Sequence, residues 1–404
     1  MSRQSSCEIA VGECLAKIAR QPKVKTTDYL ESGAYPVIDQ GTKFVGGYVN
    51  DESLLYTGPL PVVIFGDHNR HIKFVKSPFA VGADGTQLLY PDERFDISYF
   101  HYAIRALPLK NYGYERHFKY LKEERLRVWP LDVQRRIAAI LSAYDDLIEN
   151  NTRRIAILEE MARRIYEEWF VRFRFPGHEG IQMVESELGL MPKGWQIGTV
   201  ADVAVVYRGR SYKGSELADS GGRPFVNLKC MERDGGFRAS GLKRYTGQFK
   251  ESHTVRPGDM VMGITDMTQE RRIVARVGRV SGLDADFGVF SMDLVRLASR
   301  GVYGEPYLYA MFRWSSFADE VKQHANGANV LHLLPARIEE FAFARPTPEL
   351  AAQFADLLTP MLSLCDTLER KNANLAATRD LLLPKLISGE LDVSAMPEPE
   401  AVAA

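Results

Sequence analysis

Pro130-Leu131-Asp132-Val133-Gln134-Arg135-Arg136-Ile137 opens a helical pattern that runs to about Phe170 with no further glycine or proline. One face carries Ile137, Leu141, Tyr144, Ile148, Asn151, Ile155, Leu158, Ala162, Ile165 and Trp169, in steps of four and three throughout. That is the 3.5-residue repeat of a coiled-coil seam. The remaining positions are largely charged. At about 1.5 Å per residue such a helix reaches roughly 60 Å, too long to pack on one small globule. A second pattern opens at Pro346-Thr347-Pro348-Glu349 and runs to about Gly389, with Phe354, Leu357 or Leu358, Met361, Leu364, Leu368, Leu375 and Leu382 on its seam. Pro360 is expected to kink this helix, and Pro384 to end or bend it. Asn151 on the first seam and Lys371 or Asn372 on the second are polar residues of the kind that fix register at some expense of stability. A pseudo-two-fold axis relating the two copies predicts that the seams meet as an antiparallel pair.

Outward from each helix the chain repeats itself. Ahead of the first lie Tyr35–Ile38, Gly41–Val49, Pro61–Phe65 and Ile72–Lys76, read as strands, then a helix-like Ile97–Leu107. Ahead of the second lie Pro224–Leu228, Gly258–Met262 and Arg271–Val277, then a helix-like Pro306–Trp314. Strands followed by a helix predict a mixed α+β fold. The expected organisation is a first globule at 1–129, a long helix at 130–175, a second globule at 176–345, a second long helix at 346–392 and a flexible tail at 393–404. Internal symmetry of this kind suits a target that is itself repeated, and DNA half-sites lead that class.

Polar loops between the strands offer the side chains that could reach bases or phosphates. The first globule has Thr42, Lys43, Arg70, His71 and Lys73; the second has Arg208, Arg210, Tyr212, Lys213, Gln269, Arg271 and Arg272. Arginine pairs with guanine and glutamine with adenine in the major groove, whereas lysine mostly holds phosphate. For any one of them a solvated loop charge is the plainer reading. The formal net charge of −1 does not by itself suggest DNA. Its distribution softens the objection: residues 1–129 carry 17 Lys and Arg against 15 Asp and Glu, and residues 176–345 carry 22 against 20. Residues 346–404 are acidic, 4 against 9.

Composition is that of a soluble protein, 45% hydrophobic and 25% charged, with no apolar run long enough for a membrane span and no apolar signal region after Met1. Cys7, Cys14, Cys230 and Cys365 are scattered and read as reduced thiols of a cytoplasmic protein. The histidines form no metal-ligand set, and His68 with His71 alone is weak. The chain has no phosphate loop, dinucleotide fingerprint or nucleophile elbow, and no Asn-Pro-Pro-aromatic box of base methyltransferases. These absences favour a recognition protein over an enzyme, with no cofactor or metal of its own.

Three stretches resemble the specificity subunits of type I restriction–modification systems. Trp129-Pro130-Leu131-Asp132-Val133-Gln134-Arg135-Arg136-Ile137-Ala138 is similar to the family's proline-led opening of the helix, and Pro192-Lys193-Gly194-Trp195 to the start of its second recognition domain. Leu381-Leu382-Leu383-Pro384-Lys385-Leu386-Ile387-Ser388-Gly389-Glu390-Leu391 is like the end of its distal conserved region. Thr347-Pro348-Glu349-Leu350-Ala351-Ala352 departs by lacking the Gln-Arg pair of the first copy, which leaves open whether both copies grip partners equally. The resemblance implies two target-recognition domains separated by paired helices, each reading half of a bipartite double-stranded DNA site. It also implies two methyltransferase subunits that hold S-adenosylmethionine and, where restriction occurs, restriction subunits that use ATP and magnesium. Two other readings compete: a specificity subunit of a methylation-only or related antiphage system, and a tandem-repeat scaffold that bridges two proteins.

Overall fold

The computed structural model describes residues 7–19, 21–111, 113 and 115–396; the expected tail beyond 396 lies outside them. Contacts divide the chain into two compact units, one running to Ile148 and resuming at Asn374, the other spanning Glu149–Ala373. Their bounds cut both long helices, Leu131–Tyr166 and Pro348–Ser388, so they differ from the expected split at 129, 175 and 345.

In the first unit Val62–Gly66 is buried along its whole length and lies between Ile72–Val75 and Thr86–Leu89, antiparallel to both. Its continuous apolar run follows from cover on both faces. Val63 and Phe65 join a core with Tyr99, Phe100, Ile104, Ile137, Leu141, Leu383 and Leu386, while Val62 and Ile64 join another with Ile38, Phe79 and Val81. Tyr35–Ile38 pairs antiparallel with Gly47–Val49 and parallel with Ala80–Val81. Cys7–Ala10 pairs with Arg125–Val128 and so closes the globule beside the start of the long helix.

Gln134, the motif's glutamine, is fully buried there. It accepts from the Asp96 N–H at 2.8 Å and donates to the carbonyls of Arg94 (2.8 Å) and Trp129 (2.7 Å). Asp96 in turn caps the helix Ile97–Arg105 by accepting the N–H groups of Ser98 and Tyr99.

The second unit repeats the plan. Met260–Gly263 is likewise wholly buried, lies between Val277–Arg279 and Leu294–Ser299, and divides its side chains between two cores. Arg223–Val226 pairs parallel with Gly288–Phe290, as Tyr35–Ile38 does with Ala80–Val81. Gln196–Thr199 pairs with Ala342–Arg345, the counterpart of the closing pair in the first unit. Helix Glu305–Trp314 stands where Ile97–Arg105 stands. The architecture is therefore mixed α and β; the same strand pairings recur in both units, and the two three-stranded sheets of the first are extended to four and five strands in the second.

Several expectations need correction. Gly41–Gly46 is not strand; only Gly47–Val49 is. Arg271–Arg276 is also not strand: Arg271 and Ala275 have φ of 55° and 60°, Val274 makes only an isolated bridge to Gly263, and the strand begins at Val277. Pro384 does not end the second helix, which continues to Ser388 and also contains Pro360. Both prolines are exposed, so the carbonyls they leave without an N–H partner can face water.

On the first seam Ile137, Leu141, Asn151 and Ala162 are buried, while Tyr144, Ile148, Ile155, Leu158, Ile165 and Trp169 are half-buried. The second seam is rotated in part. Leu368 is buried and Met361, Leu375 and Leu382 are half-buried, but Leu364 is exposed and its neighbour Cys365 is buried. Arg379, Leu383 and Leu386 are the buried positions further on. A straight α-helix has 3.6 residues per turn and drifts from a strict 3.5 repeat, which moves the buried stripe by a position. Of the polar alternatives, Asn372 and not Lys371 faces the seam: Asn151 Nδ2 donates to Asn372 Oδ1 at 2.9 Å.

Candidate nucleic-acid interface

In the first unit three loops are tied to one another beyond the strand ends. Asp39 follows its strand directly, is almost buried, and accepts the Gly41 N–H at 2.8 Å and the Tyr29 hydroxyl at 3.2 Å. Lys73 lies 3.6 Å from the same carboxylate and donates to the carbonyls of Lys43 (2.5 Å) and Phe44 (3.2 Å). Burial pushes the Lys73 pKa down, and the Asp39 charge opposes that shift. These bonds explain why the loop leaves the sheet: side chains hold the Gly41 N–H and the Lys43 and Phe44 carbonyls, and backbone bonding to the neighbouring strand resumes only at Gly46, whose N–H donates to the Val37 carbonyl at 2.9 Å. Gln40 accepts from the His68 N–H at 3.1 Å and donates to the Asp84 carbonyl at 3.0 Å, while Asn69 donates to the Gln40 carbonyl.

The candidates of this unit therefore separate. Thr42, Lys43 and His71 are exposed. Lys73 is buried at 6% exposure and does not reach solvent as a free cation. Arg70 sits at φ 62° and donates to the Leu109 carbonyl at 2.8 Å. Its strained backbone holds the turn, and its guanidinium is already engaged.

The second unit shows the same division. Arg208, Lys213 and Gln269 are exposed. Gln269 nevertheless donates to the Gly327 and Ala328 carbonyls at 3.3 and 3.1 Å. Arg210 donates to the Gln248 carbonyl at 3.2 Å, and Tyr212 packs edge-on against Phe225 at 4.8 Å between ring centroids. Burial raises the Tyr212 pKa, so it presents a neutral hydroxyl. Arg271 donates to Gln323 Oε1 at 2.9 Å, and Arg272 pairs with Asp234. Arg70 and Arg271 occupy matching loops in the two units, both with left-handed backbone and both tied to a segment beyond the following helix.

The loop-end residues that sequence reasoning missed also match. Asp39 and Asn227 each follow the strand that makes the parallel pair and accept the N–H two residues on, at 2.8 Å in both cases. Asp67 and Asp266 are both buried; Asp67 directly follows the doubly covered strand, and Asp266 ends the short strand Thr265–Asp266 three residues beyond its counterpart. Asp67 accepts the Phe118 N–H at 2.8 Å, and Asp266 accepts those of Thr268 and Ile273 at 2.9 and 3.0 Å. An Asp or Asn at or just past the end of an apolar run was the available signal. Among the described residues no group of three or more His, Cys, Asp or Glu could hold a metal ion, and no helix is long and apolar enough to cross a membrane.

No family model matches the chain. The MjaIX type I restriction enzyme specificity subunit of Methanocaldococcus jannaschii is 25% identical over 283 residues, which cover 68% of this chain and 62% of that protein. The MjaVIII specificity subunit of the same organism is 29% identical over 105 residues, 26% of this chain and 23% of that protein. The matches thus span less than two thirds of either relative. The crystal structure of the type I restriction–modification S subunit from M. genitalium superposes with a TM-score of 0.57 at 13% identity, over 96% of this chain and 97% of that one.

The chain is thus similar in sequence to two type I restriction specificity subunits. As in the sequence resemblance, the Gln-Arg pair of the specificity-subunit motif occurs once. The structure accounts for the glutamine, whose side chain joins the helix to Trp129, Arg94 and Asp96. At the matching place in the second copy the chain carries Leu350, buried in the core with Phe354 and Leu358.

Proposed function

We propose that the chain is the DNA sequence-recognition subunit of a type I restriction–modification complex. In this reading residues 1–129 and 176–345 are two target-recognition domains, each contacting one half of a bipartite double-stranded site. The long helices pair as an antiparallel coiled coil that spaces the two and offers surfaces to two methyltransferase subunits and, where restriction occurs, to restriction subunits. The chain itself is non-catalytic and acts in the cytoplasm. S-adenosylmethionine, and ATP with magnesium, belong to the partner subunits.

The observation that carries this reading is a shared set of strand pairings that recurs in both units with different side chains on matching loops. Similar scaffolds with unequal loops suit two unlike half-sites. Exposed Lys43, Arg208 and Lys213 remain the direct contact candidates with Thr42, His71 and Gln269, while Arg70, Lys73, Arg210, Arg271 and Arg272 support loop shape. Mapping methylated adenines in a host with the gene and its methyltransferase partner, and again after deleting the gene, tests it. A bipartite methylated motif should vanish on deletion. A methylome indifferent to the gene would sink the proposal.

A further inference from the structure

The loop Gly41–Gly46 has a fixed interior and an apolar tip. It folds around the Asp39 carboxylate so closely that a Cβ at Gly46 would meet Asp39 Oδ2 at 2.7 Å. Beneath it Lys73 holds two consecutive carbonyls, and Gln40 ties its base to the next loop. A buried ammonium and carboxylate are costly to desolvate, and here they are matched to each other and to backbone groups of this one loop. Above them Thr42, Lys43 and Phe44 are all exposed, Phe44 at 53%. A loop ordered in advance loses little entropy on binding, and a large apolar side chain left in water gains by being covered. An exposed lysine next to that phenylalanine, with His68 and His71 exposed on the adjoining loop, suits a partner that offers both anionic groups and apolar edges. DNA offers phosphates beside thymine methyl groups and base steps.

We propose that Gly41–Gly46 is a preformed reading loop for one half-site, with Phe44 making the apolar base contact, Lys43 a phosphate contact, and Lys73 and Asp39 acting as positioning residues beneath it. This rests on the DNA-recognition reading above.

The test uses the full chain assembled with its methyltransferase partner. Binding is measured to the mapped site and to single-base variants of each half, across a salt series. Phe44→Ala should lower the preference for the correct base about tenfold at one or two adjacent positions of a single half-site. Its salt dependence should not change, because no phosphate contact is lost. Lys43→Ala should reduce the salt slope by about one and leave base preference alone. Lys73→Met should weaken preference at the same positions as Phe44→Ala, although Lys73 itself is buried. If Lys73→Met does not assemble, the two surface variants decide. An intact base preference in Phe44→Ala overturns the inference while leaving DNA recognition standing, and so does a Phe44→Ala complex that fails only in subunit assembly. A wild-type complex with no sequence preference overturns both.

Discussion

Gln134 and His101 are buried polar residues of the first unit, and they differ in how they are satisfied. Gln134 uses its amide fully, so Gln134→Leu strands the Asp96 N–H and the carbonyls of Arg94 and Trp129. A cost of about 2–4 kcal/mol is expected, read as faster hydrogen exchange at the Asp96, Ser98 and Tyr99 amides. His101 stacks on Phe74 at 4.9 Å with its Nδ1 unpartnered. Burial, helped by the Arg105 charge, pushes its pKa from 6.5 down to about 3. A base whose folded pKa is depressed is neutral in the fold, and the unfolded chain binds the proton more readily. Its stabilisation is thus full above about pH 6.5 and falls as pH drops toward the folded value. By pH 5 the loss is about 2 kcal/mol. His101→Phe keeps the stacking and removes the titration, so acid denaturation should be shallower between pH 6.5 and 5. An identical acid profile would refute this role.

Along the long helices the seam pattern was legible in sequence because periodicity is a local property. The register detail was not. Asn151 and Asn372 meet at 2.9 Å, a pairing that no spacing rule chooses over Lys371. Asn151→Leu alone should destabilise by about 1 kcal/mol through the lost hydrogen bond. Changing both to leucine should raise the denaturation midpoint yet permit alternative pairings, detectable as extra species in cysteine crosslinking between the helices. A single species would show that this pair does not specify register. Arg379 teaches the same lesson. A charged residue is nearly buried on the second helix because Asp145 and Asp380 neutralise it, and Tyr102 and Arg105 also bind those two carboxylates. Sequence reasoning placed Leu382 on the seam and passed over Arg379, since it had no view of the acids facing it.

At the scale of the whole molecule, the proposed division of labour makes two predictions. Replacing residues 196–345 with the matching part of a relative should change one half-site in the methylome and leave the other as it was. A change in both halves would contradict modular reading. Adding four residues to each long helix extends it by about 6 Å while nearly keeping the phase of its apolar face. With about 3.4 Å per base pair, the unread spacer should lengthen by one or two base pairs and both half-site sequences should persist. Affinity should fall, because added base pairs rotate one half-site about the duplex axis. An active insertion variant that methylates only the original spacing would show that the helices do not set it.

The amino-acid sequence by itself determined the repeat, the two long helices, the mixed α and β class and the buried strands at Val62–Phe65 and Met260–Met262. Each of these follows from local periodicity, unbroken apolar runs and turn residues. Only the tertiary structure decided which cations are available. Lys73 is paired with an acid 34 positions earlier, Arg271 with a glutamine 52 positions later and Arg272 with an acid 38 positions earlier. It also decided that Gly41–Gly46 and Arg271–Arg276 are loops: Lys73 holds two carbonyls of the first, and Asp266 takes the Ile273 N–H of the second, where Arg271 and Ala275 have left-handed backbone. Partners of that kind are fixed by where the chain returns in space, and a residue's own neighbours carry no record of it.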